Sequence, residues 1–359
     1  MLTHYGWSDA LQHDFAPYAA RGLAPARVTA QHRGLWRLMG EAGEMEGRLS
    51  GRFVHQAFEG GYPVTGDWVA VEPHGEGATI AAVLPRASAF TRQAAGTGQA
   101  AQVVAANVDV ALLTASLNGD LNARRLERYL ATAYASGAEP VILLTKADLC
   151  PDPAPLVAEV EAIACGVPVL AVSAANGEGL AALAGWLKPG RTAVLLGSSG
   201  VGKSTLVNAL SGEARMATAA IREADAHGRH TTTHRELIAL PSGALILDTP
   251  GMRELGLWQA EAGVEAVFAD ATAEVERLAE ACRFRDCAHG REPGCAVQAA
   301  LADGTLDAAR WRSFQKLRKE LAHAVRQEDP LARAAERKRW AAVHKAGRAR
   351  TRAKREMDD

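Results

Sequence analysis

The stretch Gly197-Ser198-Ser199-Gly200-Val201-Gly202-Lys203-Ser204 decides the fold of this chain. It follows the apolar run at 193–196 and precedes a run typical of a helix at 205–210. Strand, glycine loop and helix in that order are the setting of a phosphate-binding loop. The glycines let the backbone wrap closely around phosphate oxygens, with N–H groups and the helix N-terminus pointing at the negative charge. Further buried apolar runs alternate with helical stretches between about 100 and 258, which predicts a doubly wound, mostly parallel α/β sheet.

Each residue of this loop has an expected role. The ammonium of Lys203 would neutralise the β and γ phosphate oxygens, and the hydroxyl of Ser204 would be a ligand of Mg²⁺. The other residues expected to touch the nucleotide here are Gly197, Ser198, Ser199, Gly200, Val201, Gly202 and Thr205.

Two further motifs indicate guanine rather than adenine. One is Leu-Thr-Lys-Ala-Asp, ending at Asp148, and the other is Ser-Ala-Ala-Asn-Gly, beginning at Ser173. The Asp148 carboxylate can accept from both N1–H and N2–H of guanine, whereas adenine would leave it unpaired. We expect the stem of Lys146 to lie against the base and the N–H of Ala174 to reach the guanine carbonyl. The motifs resemble the guanine-recognition elements of the GTPase superfamily, which usually have Asn where this chain has Thr145.

Two segments have the character of nucleotide-dependent switches. Asp-Thr-Pro-Gly at 248–251 follows an apolar run, so Asp248 can organise Mg²⁺ through water and the N–H of Gly251 can sense the γ-phosphate. In Gly-Arg-His-Thr-Thr-Thr at 228–233, Thr232 is the residue expected to complete the Mg²⁺ shell. The base-reading motifs precede the phosphate loop, the reverse of the usual order. The sequence therefore predicts a circularly permuted GTPase domain, since a sheet can be cut and rejoined at a surface loop.

Composition divides the rest of the chain. We expect an N-terminal extension at 1–26, a small barrel of the oligonucleotide-binding (OB) type at 27–98, the permuted domain at 99–258, a helical domain at 259–327 and a basic tail at 328–359. Five barrel residues suggest either a nucleic-acid-binding face or an ordinary solvent-exposed surface with one tryptophan in the core: Arg33, Trp36, Arg37, Arg48 and Arg52.

Charge is unevenly distributed, although the net charge is only −1. Residues 311–359 hold fifteen Lys and Arg against seven Asp and Glu. This pattern favours either a polyanionic partner or simply a well-solvated helix and tail. No apolar run approaches the length of a membrane span and no signal peptide is visible, so the expectation is a cytoplasmic protein with no membrane partner and with reduced cysteines.

A cysteine and histidine cluster follows the permuted domain. Cys282, Cys287, His289 and Cys295 offer three thiolates and one imidazole within fourteen residues. This set fits one closed, tetrahedral, structural Zn²⁺ site. Metal binding would then hold together a small helical domain that has little core of its own.

Taken together, these motifs closely resemble the RsgA (YjeQ) family of bacterial ribosome-biogenesis GTPases, from about residue 28 to about 325. The resemblance implies a GTP hydrolase with GTP or GDP, Mg²⁺ and Zn²⁺ as ligands. It also implies binding to the small (30S) ribosomal subunit and its 16S rRNA late in maturation, with release after hydrolysis. We expect a monomer that does not bind DNA.

The catalytic group must differ from that of Ras-like enzymes. Met252 follows the switch motif where many GTPases place glutamine, and an apolar side chain cannot orient water. His230, two residues before Thr232, can position or deprotonate the water, and the family pattern points to the same residue. Two other functions stay open from the residues alone: an RNA-binding scaffold with the nucleotide as a structural or regulatory ligand, and a P-loop ATPase.

Overall fold

The computed structural model describes residues 1–32, 34–51, 53, 61–93, 101–119, 121–213, 235–248, 260–290 and 292–328. They form an N-terminal helical turn, a closed barrel, an α/β sheet and a C-terminal group of helices. The predicted fold class is confirmed.

Five strands close the barrel, and every neighbouring pair is antiparallel except β3 and β5, which are parallel. They run in the order β1-β2-β3-β5-β4, and β4 returns to pair with β1. Their bounds are β1 (Ala24–His32), β2 (Leu35–Gly40), β3 (Gly43–Leu49), β4 (Trp68–His74) and β5 (Gly77–Val83). Strand β1 was not predicted from the sequence, and it starts three residues before the expected barrel boundary. Its apolar alternation is broken by Pro25 and by Arg27, an arginine that is buried.

The barrel tryptophan belongs to the core. Trp36 is 4% exposed, packs with residues such as Leu38 and Ile80, and donates from its indole N–H to the carbonyl of Pro63 over 2.8 Å. This settles the two alternatives for Trp36 in favour of a core residue. Arg37 and Arg48 are exposed, whereas Arg33 and Arg52 lie outside the described residues.

The permuted domain continues the same sheet beyond β1, because Ala30 of β1 pairs with Glu236 in strand β12. Its strands run in the order β10-β9-β8-β11-β13-β12, all parallel except β12. The bounds are β8 (Val110–Ser116), β9 (Glu139–Thr145), β10 (Val169–Ala171), β11 (Thr192–Leu196), β12 (Glu236–Ala239) and β13 (Leu245–Asp248). Both faces are covered, since Leu113 faces one core and Leu112 the other, which explains why the strands are apolar throughout. The four-residue β12 is too short to show a sequence pattern.

Between barrel and sheet lies a hairpin that the sequence did not predict, formed by β6 (Ala89–Gln93) and β7 (Ala101–Ala106). It falls on both sides of the domain boundary expected at 98–99.

The eight described α-helices are α1 (Asp9–Ala19), α2 (Ala123–Ser136), α3 (Ala154–Ile163), α4 (Lys203–Ser211), α5 (Glu261–Val267), α6 (Ala269–Ala279), α7 (Ala296–Asp303) and α8 (Ala308–Glu328). None of these helices is both long and apolar enough to cross a bilayer.

One buried arginine joins three parts of the molecule. The guanidinium of Arg27 donates to the carbonyls of Tyr5, Gly66 (3.3 Å) and Asn107 (3.0 Å), and to the hydroxyl of Thr192 (2.8 Å). Burial lowers the pKa of Arg27 to about 10, against the opposing effect of Asp109 and Asp67. Arg27 thus connects the N-terminal turn, the barrel and the strand that leads to the phosphate loop.

The C-terminal helices pack on α2 through a second polar group. Glu127 on α2 is 3% exposed and accepts from the hydroxyl of Ser313, with Arg310 3.7 Å away. Burial raises the pKa of Glu127, while Ser313 and Arg310 act in the opposite direction. Arg310 also pairs with Asp270 at 2.7 Å and lies over the ring of Phe268.

Candidate functional site

The phosphate loop connects β11 to α4, as the sequence predicts. Gly200 and Gly202 have φ of +80° and +100°, a region that glycine enters at little cost. Gly197 is required for another reason, because a Cβ there would lie 2.1 Å from the hydroxyl oxygen of Thr114. The glycines thus set the path of the loop and its close approach to β8.

The lysine of the loop folds back over it. The Nζ of Lys203 donates to the carbonyls of Gly197 and Ser198 at 2.7 and 2.6 Å. This places a positive charge inside the curve of the loop, beside the N-terminus of α4. Val201 is buried and anchors the loop, while Ser199, Gly200 and Thr205 are exposed and Ser204 is half-buried.

The two base-reading motifs meet each other. Asp148 lies in a short 3-10 helix (Ala147–Leu149) directly after β9, and Ser173 follows β10. The buried hydroxyl of Ser173 donates to the Asp148 carboxylate over 2.6 Å and is also within reach of the N–H groups of Ala175 and Asn176. An exposed carboxylate is therefore held in one orientation by the neighbouring loop.

The base-reading motifs also meet the phosphate loop. The hydroxyl of Thr145 lies 2.5 Å from the carbonyl of Val201 and 3.2 Å from that of Ala115. A hydroxyl has one proton, so the shorter contact takes it. Lys146, with φ of +60°, turns the chain away from β9 immediately afterwards. The threonine that replaces the usual asparagine thus makes a direct link between the two halves of the pocket.

The switch residues are only partly described. Asp248 is the last residue of β13, the strand next to β11, and its register partner is Glu236 of β12. It therefore lies at the same edge of the sheet as the phosphate loop. Thr232, His230 and Gly251, three of the predicted site residues, lie outside the described residues.

The four predicted zinc ligands come together at one point. Their ligand atoms all lie within 4.8 Å of one another. The Sγ of Cys282 is 3.9 Å from the Sγ of Cys295 and 3.7 Å from the Nδ1 of His289, which is 3.6 Å from Cys295. A tetrahedron with Zn–S bonds of about 2.3 Å has edges of about 3.8 Å. The donor set and its spacing fit zinc.

The main chain around the cluster is shaped to bring these ligands in. His289 has φ of +57°, and the side chain of Gln298 donates to its carbonyl over 2.7 Å. Cys295 caps α7, because its Sγ accepts from the N–H of Gln298. Burial acts to raise the pKa of Cys282, but the N–H groups of Ala296 and Val297 and the thiols of Cys295 and Cys287 together outweigh it, and the net shift is downward, towards the thiolate that binds metal.

Comparison with known proteins decides the family. A sequence model described as RsgA GTPase matches residues 83–258. A "Small ribosomal subunit biogenesis GTPase RsgA" from Opitutus terrae is 50% identical over 98% of both chains, and another from Streptomyces coelicolor is 49% identical over 99% of this chain and 96% of its own. The chain belongs to the RsgA family of GTPases.

Solved structures agree with this membership. YjeQ from Thermotoga maritima aligns with a TM-score of 0.58 at 27% identity, covering 84% of this chain and 99% of its own. A second structure, described as "YloQ, a circularly permuted GTPase", gives the same TM-score at 25% identity, with 84% and 96% covered. An ABC transporter model also matches 180–339. That range contains the phosphate loop but not the Asp148 and Ser173 motifs, which match the RsgA family.

Proposed function

We propose that this chain hydrolyses GTP in a late step of small ribosomal subunit maturation, binding the subunit through its 16S rRNA and leaving after hydrolysis. The observation that carries the proposal is the hydrogen bond from Thr145 to Val201, which joins a guanine-reading motif and a phosphate loop in one pocket although the chain encodes them in reverse order. The name shared by full-length relatives of about 50% identity supports the ribosomal part.

In the pocket we assign nucleotide binding as follows. Asp148, oriented by Ser173, reads the two N–H donors of guanine, while Lys146 and Ala174 border the base. Lys203 neutralises phosphate charge together with the loop amides. The remaining residues assigned to nucleotide contact are Thr145, Gly197, Ser198, Ser199, Gly200, Val201, Gly202, Ser204, Thr205, Asp248 and Gly251.

For the chemical step, most of the rate comes from positioning and charge stabilisation. Ser204 and Thr232 would hold Mg²⁺, which would supply positive charge to neutralise the phosphate oxygens. We assign to His230 the alignment or deprotonation of the attacking water. The ammonium of Lys203 neutralises negative charge on the γ-phosphate as the bond to the β-phosphate breaks.

The zinc cluster has a structural role in this proposal. Four protein ligands close a tetrahedral site, so no position is open for a catalytic water. The cluster fixes the loop Arg283-Phe284-Arg285 on the surface between two of its ligands, and all three residues are exposed. Exposed arginines beside an aromatic ring suit RNA, as do Arg312, Lys316 and Lys319 along one side of α8.

In this proposal the chain acts as a monomer in the cytoplasm. We keep the five segments of the sequence analysis, with the barrel now taken from β1 at Ala24. The helices after Ala260 form the zinc-binding domain, and the basic tail after Glu328 lies outside the described residues.

Co-sedimentation tests the function directly. With a non-hydrolysable GTP analogue, the protein should travel with small ribosomal subunits and not with large ones, and it should dissociate as salt is raised because phosphate contacts are lost. GTP turnover should rise on adding small subunits. Binding to both subunits alike, or turnover of ATP in preference to GTP, would contradict the proposal.

A variant of His230 tests the catalytic assignment. His230→Ala should still bind GTP and still co-sediment, but lose the subunit-stimulated turnover. Unchanged turnover would remove His230 from the mechanism.

A further inference from the structure

Four residues on adjacent strands form one row that runs from the barrel into the nucleotide-binding sheet. Arg37 of β2 is the register partner of Ala30 in β1, Ala30 is the partner of Glu236 in β12, and Glu236 is the partner of Asp248 in β13. Register partners project their side chains to the same face of a sheet. Arg37, Glu236 and Asp248 therefore share one face, and the row ends at the residue assigned to the magnesium side of the pocket.

The charges along this row are coupled. Two carboxylates directly opposite each other on neighbouring strands, as in Glu236 and Asp248, disfavour one another. The Nη1 of Arg37 lies 3.3 Å from a carboxylate oxygen of Glu236, and its Nε lies 3.0 Å from Glu44. A barrel arginine thus offsets the negative charge that stands beside Asp248.

The ion pair between Arg37 and Glu236 lies at the surface, where another anion can replace Glu236 as the partner of Arg37. The side chains of Arg37, Glu236 and Glu44 are 45%, 50% and 53% exposed, and ion pairs of that exposure contribute little stability. A phosphate group competes well for a guanidinium, because it carries at least one full negative charge and accepts two parallel hydrogen bonds. The segment itself is fixed, since Thr65 donates to the carbonyl of Arg235 over 3.3 Å.

We propose that Arg37 is a positioning residue through which an RNA phosphate docked on the barrel acts on the nucleotide pocket. When the phosphate takes Arg37, the charge of Glu236 is no longer balanced, and the more negative potential at Asp248 strengthens the attraction for Mg²⁺. The identity of the RNA rests on the proposed function, whereas the charge coupling is a property of the free chain. The two parts are therefore tested separately.

The free-chain test is a Mg²⁺ titration of the dissociation rate of a fluorescent GDP, which does not depend on turnover. Arg37→Gln should lower the half-saturating Mg²⁺ roughly two- to five-fold, the effect of one partly screened charge. Glu236→Gln should raise it. In the Glu236→Gln background the effect of Arg37→Gln should be roughly halved or less, because the two residues act together.

Two variants serve as controls. Arg37→Lys keeps the charge and should restore the wild-type titration. Arg48→Gln removes another exposed arginine, one strand further from β12, and should leave this titration unchanged. The inference is overturned if Arg37→Gln overlays the wild type, or if its shift is the same size with and without Glu236.

The second test adds a partner to the wild type and to Arg37→Gln. Small subunits, or a 16S rRNA transcript alone, should lower the half-saturating Mg²⁺ of the wild type and leave that of Arg37→Gln in place. A shift with subunits but not with the transcript would reject RNA phosphate as the trigger. If the wild type fails to sediment with small subunits, the proposed function is wrong. The charge coupling is then still decided by the Mg²⁺ titrations of the free chain.

Discussion

The hydroxyl of Thr145 at the end of β9 donates to the main-chain carbonyl of Val201 in the phosphate loop, over 2.5 Å. Thr145 is 4% exposed, so water cannot replace this bond. A side chain of the predicted base-reading motif thereby holds the predicted phosphate loop. The strand order β9-β8-β11 brings the two segments close enough for a short hydroxyl to make this bond.

Replacing this hydroxyl should weaken the binding of both GTP and GDP. Thr145→Val keeps the shape but leaves the carbonyl of Val201 without its partner, at a cost of about 1–2 kcal/mol, or roughly a 5- to 30-fold rise in Kd. Thr145→Ser keeps the hydroxyl and should stay close to the wild type. Fluorescent-nucleotide titration measures both; equal affinities for the two variants would show that the bond does not support the loop.

A second variant separates base reading from phosphate binding. Ser173→Ala removes the donor that orients Asp148, so guanine affinity should fall roughly three- to ten-fold through loss of one charge-assisted hydrogen bond. Asp148→Asn should lose GTP more completely and gain xanthosine triphosphate, whose base offers an acceptor in place of the N2–H donor. Competition titrations with the two nucleotides decide this. Undiminished preference for GTP in Asp148→Asn would reject the assignment.

The sequence predicts much of this pocket because its motifs carry their own chemistry. The glycine loop with its lysine is recognisable between a strand and a helix, and the Lys-x-Asp pair is informative because it accompanies the other motifs. The apolar strands between them could be placed within about three residues of their observed ends. The contact of Thr145 with Val201 could not be read from the chain, because the strand order β9-β8-β11 that brings these residues together is set by long-range pairing.

Other features were hidden for local reasons. Strand β1 contains a buried arginine and a proline, so its burial pattern does not appear as hydrophobic alternation. Trp36 could be either a surface or a core residue until the facing of β2 was known. The row from Arg37 to Asp248 depends on the register of four strands, and one residue of slip would turn every side chain to the opposite face.

Removal of the metal should disorder the segment that carries the ligands and spare the nucleotide pocket. Cys295→Ser takes away the ligand that is buried and also caps α7, so we expect loss of bound zinc and a partial loss of helical signal, because α5, α6 and α8 keep their own apolar contacts with the core. GDP affinity should change less than about threefold, since the pocket residues lie on other elements. Metal content by mass spectrometry and circular dichroism measure the two effects.

Cys165→Ser is the matched control for the metal. Cys165 is an exposed cysteine outside the cluster, with its sulfur near the carbonyl of Val267 and the guanidinium of Arg310. Its replacement should keep one zinc per chain. Equal metal content in Cys295→Ser and Cys165→Ser would contradict the ligand assignment.

The junction between barrel and sheet should depend on Arg27 more than on any surface charge. Arg27→Met deletes the donors for the carbonyls of Gly66 and Asn107 and for the hydroxyl of Thr192, all in a buried setting. Leaving such acceptors unpaired should lower the free energy of unfolding by about 3–5 kcal/mol. The stability of Arg27→Lys should lie between those of the wild type and Arg27→Met, since an ammonium cannot span four acceptors. Urea unfolding followed by tryptophan fluorescence measures the midpoint, and Trp68, which lies under the guanidinium, is one of the seven tryptophans that contribute to the signal. Arg21→Met, at an exposed position just before β1, should shift the midpoint little. A midpoint for Arg27→Met as high as that of Arg21→Met would mean that the barrel and sheet are held together by other contacts.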